Sequence, residues 1–274
     1  MGPLRSLVDA GFEVALVVSR PDRRRGRGSA LSPSPVKAAA VELGLPVTDD
    51  LDAVLGVDVD LGVVVAYGRI IPVRILERLP MLNLHFSLLP RWRGAAPVER
   101  ALLAGDTETG VCVMDVDAEL DTGAVHAVAR TPITGDDTTE TLRARLSTFG
   151  ADLLVECLRA GVGTGTPQFG EVTYASKIDP AELRIDWSGA AVDIERLVRV
   201  GGAHTTFRGA RLKIHSASLV DHAPAPVGTL DGRIVVCGDG ALELGVVQPE
   251  GRARQAATDW TNGARPSPGE RLGP

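Results

Sequence analysis

Apolar, β-branched runs alternate with amphipathic helical stretches as far as Gly161, and beyond it the runs shorten and turn residues crowd between them. Asn83 and His85, two residues apart at the end of one apolar run, mark where a site belongs. Together these observations predict an α/β fold: an open, mostly parallel Rossmann-like sheet with helices on both faces, followed by a small OB-like β-barrel domain.

Each element has its own signal. "FEVALVVS" (Phe12–Ser19), bounded by Gly11 and Pro21, reads as a buried strand. "SPVKAAAVELG" opens with an N-cap serine and a first-turn proline and closes on Gly44, so it reads as a helix. "DLGVVVAYG" is a second buried strand, "PVRILERL" a short helix and "MLNLHF" a third strand. Helix "PVERALLAGD" follows, and "GVCVMDVD" and "AVHAVARTPI" alternate as a hairpin does. "TTETLRARLSTFGADLLVECLRAG" repeats apolar residues at helical spacing. From Gly161 to Trp187 the chain is rich in Gly, Thr and Pro and reads as a surface linker. Its GxGxG neither follows a strand nor opens a helix, which argues against a dinucleotide site. One helix, "SGAAVDIERLVRVG", precedes short strands such as "ARLKIHSASL", "RIVVCG" and "ALELGVVQ". The expected division is a catalytic domain over 1–166, a linker over 167–184 and a β-barrel domain over 185–274.

Composition narrows the function. The 274 residues carry a formal charge of −6, so no general positive field draws polyanions to the whole molecule. Residues 185–274 hold ten Lys/Arg and ten Asp/Glu, which puts the acidic excess in the first part. Cys112, Cys157 and Cys237 are few, odd in number and far apart, as expected in a reducing cytoplasm. No membrane span or leader is expected. The five histidines show no metal-ligand spacing, so no metal site is expected.

The chemistry gathers in "NLHFSLLPRWRGAAP". Asn83 and His85, i and i+2 on a strand, point to one face at its carboxyl end, where open α/β sheets place their sites. An isolated N-x-H is more often satisfied by the next loop. Here the "SLLP" corner, the cationic "RWR" and a second polar loop, "DAELDTGAV", shift the balance. Asp121 in that loop can orient an imidazole and favour its protonated form. Such a trio suits acyl transfer to an amine: an amide and an imidazolium donate to the developing oxyanion, and His85 and Asp121 move protons between the two nitrogens. No serine or cysteine sits as an elbow nucleophile, so direct transfer is expected.

"NLHFSLLPRWRGAAPVERALLAGDTETGVCVMDVDAELDTG" closely resembles the signature of methionyl-tRNA formyltransferases. "RPDRRRGRGSALSPSPVKAAA", "VVVAYGRIIP" and "IDWSGAAVDIERLVRVGGAHTTFRGARLKI" resemble the same family, so the resemblance covers nearly the whole chain. It implies formyl transfer from 10-formyltetrahydrofolate to the α-amine of methionyl initiator tRNA, for translation initiation, by a cytoplasmic monomer with no membrane attachment. It further implies that Asn83, His85 and Asp121 are catalytic and that Ser87, Leu88, Leu89 and Pro90 line the folate site. The C-terminal barrel would help hold the tRNA.

Five arginines against one aspartate in Arg20–Gly28 make a local cationic patch, which contacts phosphates irrespective of sequence; the bland alternative is a solvated loop. By the resemblance, Arg27 is the expected tRNA contact, with Arg23, Arg24 and Arg25 beside it. Ser29 and Ala30 replace lysines common there, and Phe86 replaces a small residue beside the trio and is expected to narrow its pocket. Family members begin with a strand that would sit beside "EVALVVS" in mid-sheet; this chain opens on "MGPLRSLVDAG", the helix after it. Unpaired strand edges are therefore expected, from a missed start or a fragment. The alternative readings are another 10-formyltetrahydrofolate-dependent amine formyltransferase, acting on a sugar nucleotide or purine precursor, and a non-catalytic tRNA-binding remnant.

Overall fold

The computed structural model describes residues 2–24 and 31–273. They group into two compact units: Met1–Pro97, Glu108–Pro132 and Arg143–Ala175 in the first, Val98–Thr107, Ile133–Leu142 and Ser176–Pro274 in the second.

In the first unit, helix α1 (Gly2–Asp9) buries Pro3 and Leu7. The run expected as a strand over Phe12–Ser19 is paired only at β1 (Val17–Val18). Next come β2 (Arg23–Arg24) and β3 (Leu31–Ser32), antiparallel to each other. Helix α2 (Pro35–Glu42) starts as its sequence dictates: the Ser34 hydroxyl accepts the Lys37 N–H at 3.1 Å, and Pro35 takes the first turn. Strand β4 (Val47–Thr48) lies parallel to β1. A strand persists only where a neighbour supplies its ladder, and β4 is the sole partner of β1 among the described residues. That is why β1 is short.

Strand β5 (Gly62–Val65), helix α3 (Val73–Leu76) and strand β6 (Met81–His85) follow, then β7 (Arg93–Gly94), α4 (Pro97–Ala104), β8 (Glu108–Asp115), β9 (Val125–Pro132) and α5 (Thr139–Arg159). A four-stranded sheet runs β5-β6-β8-β9. Only its β5–β6 pair is parallel; β8 is antiparallel to both β6 and β9. The mostly parallel sheet expected from sequence is therefore mixed, because alternation of apolar residues is the same for either strand direction. It is also divided. The described residues show no ladder between β1 and β5, although Arg20 after β1 donates from Nε to the Tyr67 carbonyl after β5 at 2.7 Å. Ile71, Ile75, Leu79 and Met81 form a core with Leu51, Val54 and Val64, which fixes β5 and β6 from one side.

Strand β10 (Tyr174–Ala175) closes the first unit and pairs parallel to β7. The second unit holds, besides nearly all of α4 and the start of α5, α6 (Ala191–Val200), β11 (His204–Phe207), β12 (Ala210–Val220), β13 (Leu230–Asp231), β14 (Ile234–Val236), β15 (Ala241–Pro249), β16 (Gln255–Ala256) and α7 (Ala257–Ala264). Its antiparallel strands run β11-β12-β15-β14-β13, with β16 on β15. Trp187, Ile194, Phe207, Ile214, Leu242 and Trp260 lie in its core. The Trp187 indole donates to the Thr205 hydroxyl at 3.0 Å, and Phe207 meets Trp260 edge-on. No pairing joins β11 to β13 among the described residues, so the strand order by itself does not establish the small OB-like barrel expected from sequence. Short strands with frequent turns are common to open and closed sheets; closure depends on bends such as the register shifts of β12 around Ser216, which residue spacing does not report. No described helix is long and apolar enough to cross a membrane.

Gly110 on β8 admits no side chain: a Cβ there would sit 2.2 Å from the Ala129 carbonyl oxygen and 2.5 Å from the Leu88 side chain. Gly110→Ala should lower stability by about 1–3 kcal/mol in urea titration. A midpoint equal to wild type would contradict this packing.

Candidate active site

β6 lies between β5 and β8, with Asn83 opposite Val64 and Met114, and His85 opposite Cys112. Both neighbours hold its backbone, so the shared face of Asn83 and His85 is fixed before any side chain contributes. His85 is 5% exposed. Its Nε2 lies 2.8 Å from the Trp92 carbonyl oxygen. A carbonyl only accepts, so Nε2 carries the hydrogen and Nδ1 faces the Asp121 carboxylate at 3.5 Å.

Asp121 reaches this position from the loop between β8 and β9. Its Oδ2 accepts the Gly94 N–H at 2.7 Å, so one carboxylate oxygen meets both a backbone donor and the imidazole. The loop base is closed by Asp115 N–H on the Ala124 carbonyl at 2.9 Å and by the His126 imidazole on the Asp115 carboxylate at 2.8 Å. Gly94 has φ +124, and a Cβ there would lie 2.8 Å from the Ala175 carbonyl oxygen, so only glycine lets this N–H reach Asp121.

The "SLLP" corner connects the two halves. Ser87 is fully buried and spends its hydroxyl on the Arg91 carbonyl at 2.6 Å, while its own carbonyl accepts the Cys112 thiol at 3.2 Å. Pro90 is buried, and Leu88 and Leu89 are half-buried. The Arg91 guanidinium sits 4.5 Å above the Trp92 ring. Phe86 does not narrow the trio's pocket: its ring lies beside Gly150 of α5, as alternation from His85 requires.

Of the residues singled out from sequence, His85 and Asp121 thus meet, Asn83 shares the strand face of His85, and Ser87, Leu88, Leu89 and Pro90 follow His85 directly in the chain. Arg23 and Arg24 are exposed on β2, while Arg25 and Arg27 lie outside the described residues. Burial pushes the Cys112 and Cys157 thiols up and Cys237 to about 11, which leaves these sulfurs protonated at neutral pH. An open pocket of about 370 Å³ lined by His126, Leu153, Glu156 and Cys157 includes none of the trio. The sequence reading missed the segment taken for a surface linker. Thr173 accepts the Trp92 N–H on its hydroxyl and the Arg93 N–H on its carbonyl, both at 2.9 Å, and Ala175 accepts from Ala95 and Ala96. The available signal was Tyr174, a β-former within a polar stretch.

Known proteins resemble this chain along nearly its whole length. Residues 5–158 match the formyl transferase family and residues 177–265 its C-terminal domain. A methionyl-tRNA formyltransferase of Jannaschia sp. is 45% identical over 282 residues, 97% of this chain and 94% of that one. That of Methylococcus capsulatus is 43% identical over 293 residues, 98% and 95% of the two chains. Among solved structures, an N-formyltransferase from Helicobacter canadensis, in complex with folinic acid and dTDP-3-aminofucose, superposes with a TM-score of 0.69 at 18% identity, over 90% of this chain and 94% of that one. That likeness speaks to the fold. The chain belongs to the formyl transferase family, and within it to the methionyl-tRNA formyltransferases.

Asp121 sits at φ +51, a left-handed conformation that asparagine also tolerates. Asp121→Asn should therefore fold with stability within about 0.5 kcal/mol of wild type. Turnover should fall by about 100-fold or more, since the variant removes a proton acceptor and keeps the shape. Near-normal turnover with saturating substrates would remove Asp121 from the chemistry.

Proposed function

We propose that the protein transfers the formyl group of 10-formyltetrahydrofolate to the α-amine of methionyl initiator tRNA, for translation initiation. The observation that carries this reading is identity of 43–45% with methionyl-tRNA formyltransferases over nearly their full length, in a chain where Asp121 faces His85 and Asn83 lies on the same strand face. A folate donor is further supported by the folinic acid in the complex of the Helicobacter canadensis neighbour.

In this reading the neutral amine attacks the formyl carbon, a new C–N bond forms and the carbonyl electrons move onto oxygen. The Asn83 amide donates to that oxyanion, and His85 joins it once Nδ1 has taken a proton, because the Nε2 hydrogen is held by the Trp92 carbonyl. Asp121 accepts the proton lost by the attacking nitrogen, and His85 Nδ1, 3.5 Å away, continues the relay. Collapse breaks the bond to N10 of tetrahydrofolate, which gains a proton. One proton leaves and one arrives, so nothing else is consumed. The Ser87 hydroxyl is spent on Arg91, so Ser87, Leu88, Leu89 and Pro90 serve the folate by shaping the corner it rests against. Every group of the trio comes from one chain, so a monomer suffices; both substrates suit a cytoplasmic setting.

For tRNA, charge lies in two places. Arg23 and Arg24 are exposed beside the segment that carries Arg25 and Arg27. In the second unit, Arg211, Lys213 and His215 alternate along β12 with buried Leu212 and Ile214, so they share one face. Burial lowers the His215 pKa most; its Gln248 contact raises it, and the charges of Arg254 and Lys213 lower it further. A field that discourages a further positive charge is one that phosphates relieve.

The test of function is formyl transfer to charged initiator tRNA in competition with an amino-sugar nucleotide; transfer only to the sugar would overturn the acceptor. Replacing Arg23 and Arg24 together by alanine, or Lys213 and Arg254 together, should each flatten the slope of log affinity against log salt by about 1–2. Folate affinity should not move. An unchanged slope for a pair removes that face from the interface.

A further inference from the structure

Gln168 is half-buried in the segment between α5 and β10. Its side-chain amide is fully used. Nε2 donates to the carbonyl oxygens of Asp121 and Gly123, both at 2.9 Å. Oε1 accepts from Arg93, from Nε at 3.0 Å and Nη2 at 2.7 Å. The reverse orientation would set oxygen against two carbonyls and NH₂ against a guanidinium, so the assignment follows from its partners. Two donors and two acceptor contacts tie together two loops that meet nowhere else so closely as at the catalytic carboxylate. One is the turn that carries Asp121. The other is Arg93–Gly94, whose Gly94 N–H binds Asp121 Oδ2 at 2.7 Å. The segment bearing Gln168 is itself anchored, by Thr166 pairing with Val125 on one side and Thr173 holding Trp92 and Arg93 on the other.

We propose that Gln168 is a positioning residue for formyl transfer: it sets the aim of the Asp121 carboxylate at His85 by locking the Asp121 turn to the Gly94 strand. The inference rests on the function proposed above and names a residue to which the reaction scheme assigns no role. No other side chain of this reach offers two hydrogens and an acceptor from one plane. Glutamate keeps the Arg93 contact and loses both donors. Asparagine is one methylene short. A displaced carboxylate still binds nothing different in the ground state, so the loss falls on turnover, where a misplacement of about 1 Å costs roughly 100-fold.

The test is a double-mutant cycle of Gln168→Ala and Gln168→Glu with Asp121→Asn, with kcat, KM for each substrate and the pH profile measured throughout. In the wild-type background each Gln168 variant should lower kcat at least tenfold while each KM changes less than about threefold. The acidic limb of the kcat profile should also move. In the Asp121→Asn background the same changes should cost less than about threefold, because aiming an absent carboxylate is worth nothing. Equal losses in both backgrounds, or kcat within threefold of wild type, would overturn the proposal. Amide exchange at Gly94 gives a reading independent of turnover. Its N–H should lose protection in Gln168→Ala and Gln168→Glu and retain it in a Tyr174→Ala control; unchanged protection refutes the lock. If wild type formylates no methionyl-tRNA, the function fails while Gly94 exchange still judges Gln168.

Discussion

The hydrogen bond from the Gly94 N–H to the Asp121 carboxylate is the point on which the site depends. It joins the loop after β6 to the loop after β8, and those strands are neighbours in one antiparallel ladder. Because Asn83 and His85 are fixed by β6 itself, the only freedom left to the trio is the position of Asp121. A carboxylate on a nine-residue loop would otherwise sample many rotamers and lose the effective concentration that transfer needs. Gly94, Gln168 and Thr173 all act on that one freedom from different sides. The surrounding architecture is the means by which one carboxylate faces one imidazole.

What could be read in the sequence was whatever depends on near neighbours along the chain. Asn83 and His85 share a face because strand side chains repeat every two residues, and helix α2 starts where Ser34 and Pro35 start it. What could not be read depends on pairing across space. The direction of β8, the two-residue length of β1 and the strand order of the second sheet each follow from which neighbour is present, and composition carries no record of that. Gln168 escaped for the same reason. In a Gly/Thr/Pro-rich stretch its amide looks like a solvated linker residue, and its four hydrogen bonds go to three residues 45 to 75 positions away. The resemblance carried the trio; it did not reveal what holds the trio.

Electrostatics shows the same contrast between average and local properties. A net charge of −6 argues against nucleic-acid binding by the whole surface, yet exposed Arg23 and Arg24, and the β12 face of Arg211 and Lys213, are cationic on the scale of a Debye length of about 8 Å. Arg208 is no part of that supply: Glu270 neutralises it at its own corner, and with the Ser267 N–H it holds the Glu270 carboxyl down to about 2.

Backbone strain completes the argument about the imidazole. The two residues that face the His85 ring nitrogens, Trp92 at φ +65 and Asp121 at φ +51, lie in the left-handed region that most side-chain-bearing residues avoid. Each such residue costs on the order of 1–3 kcal/mol, which the contacts around it offset. A left-handed residue reverses the chain within one step, which turns the Trp92 carbonyl inward to hold Nε2 and turns the Asp121 side chain inward to face Nδ1. The hydrogen bond that the Trp92 N–H donates to the Thr173 hydroxyl and the one that Gln168 donates to the Asp121 carbonyl fall on these two strained residues, where an unsupported backbone would relax. The segment between α5 and β10 therefore offsets strain at the two points where relaxing it would release the imidazole, and that is why a stretch with the composition of a linker is bound to the site so closely.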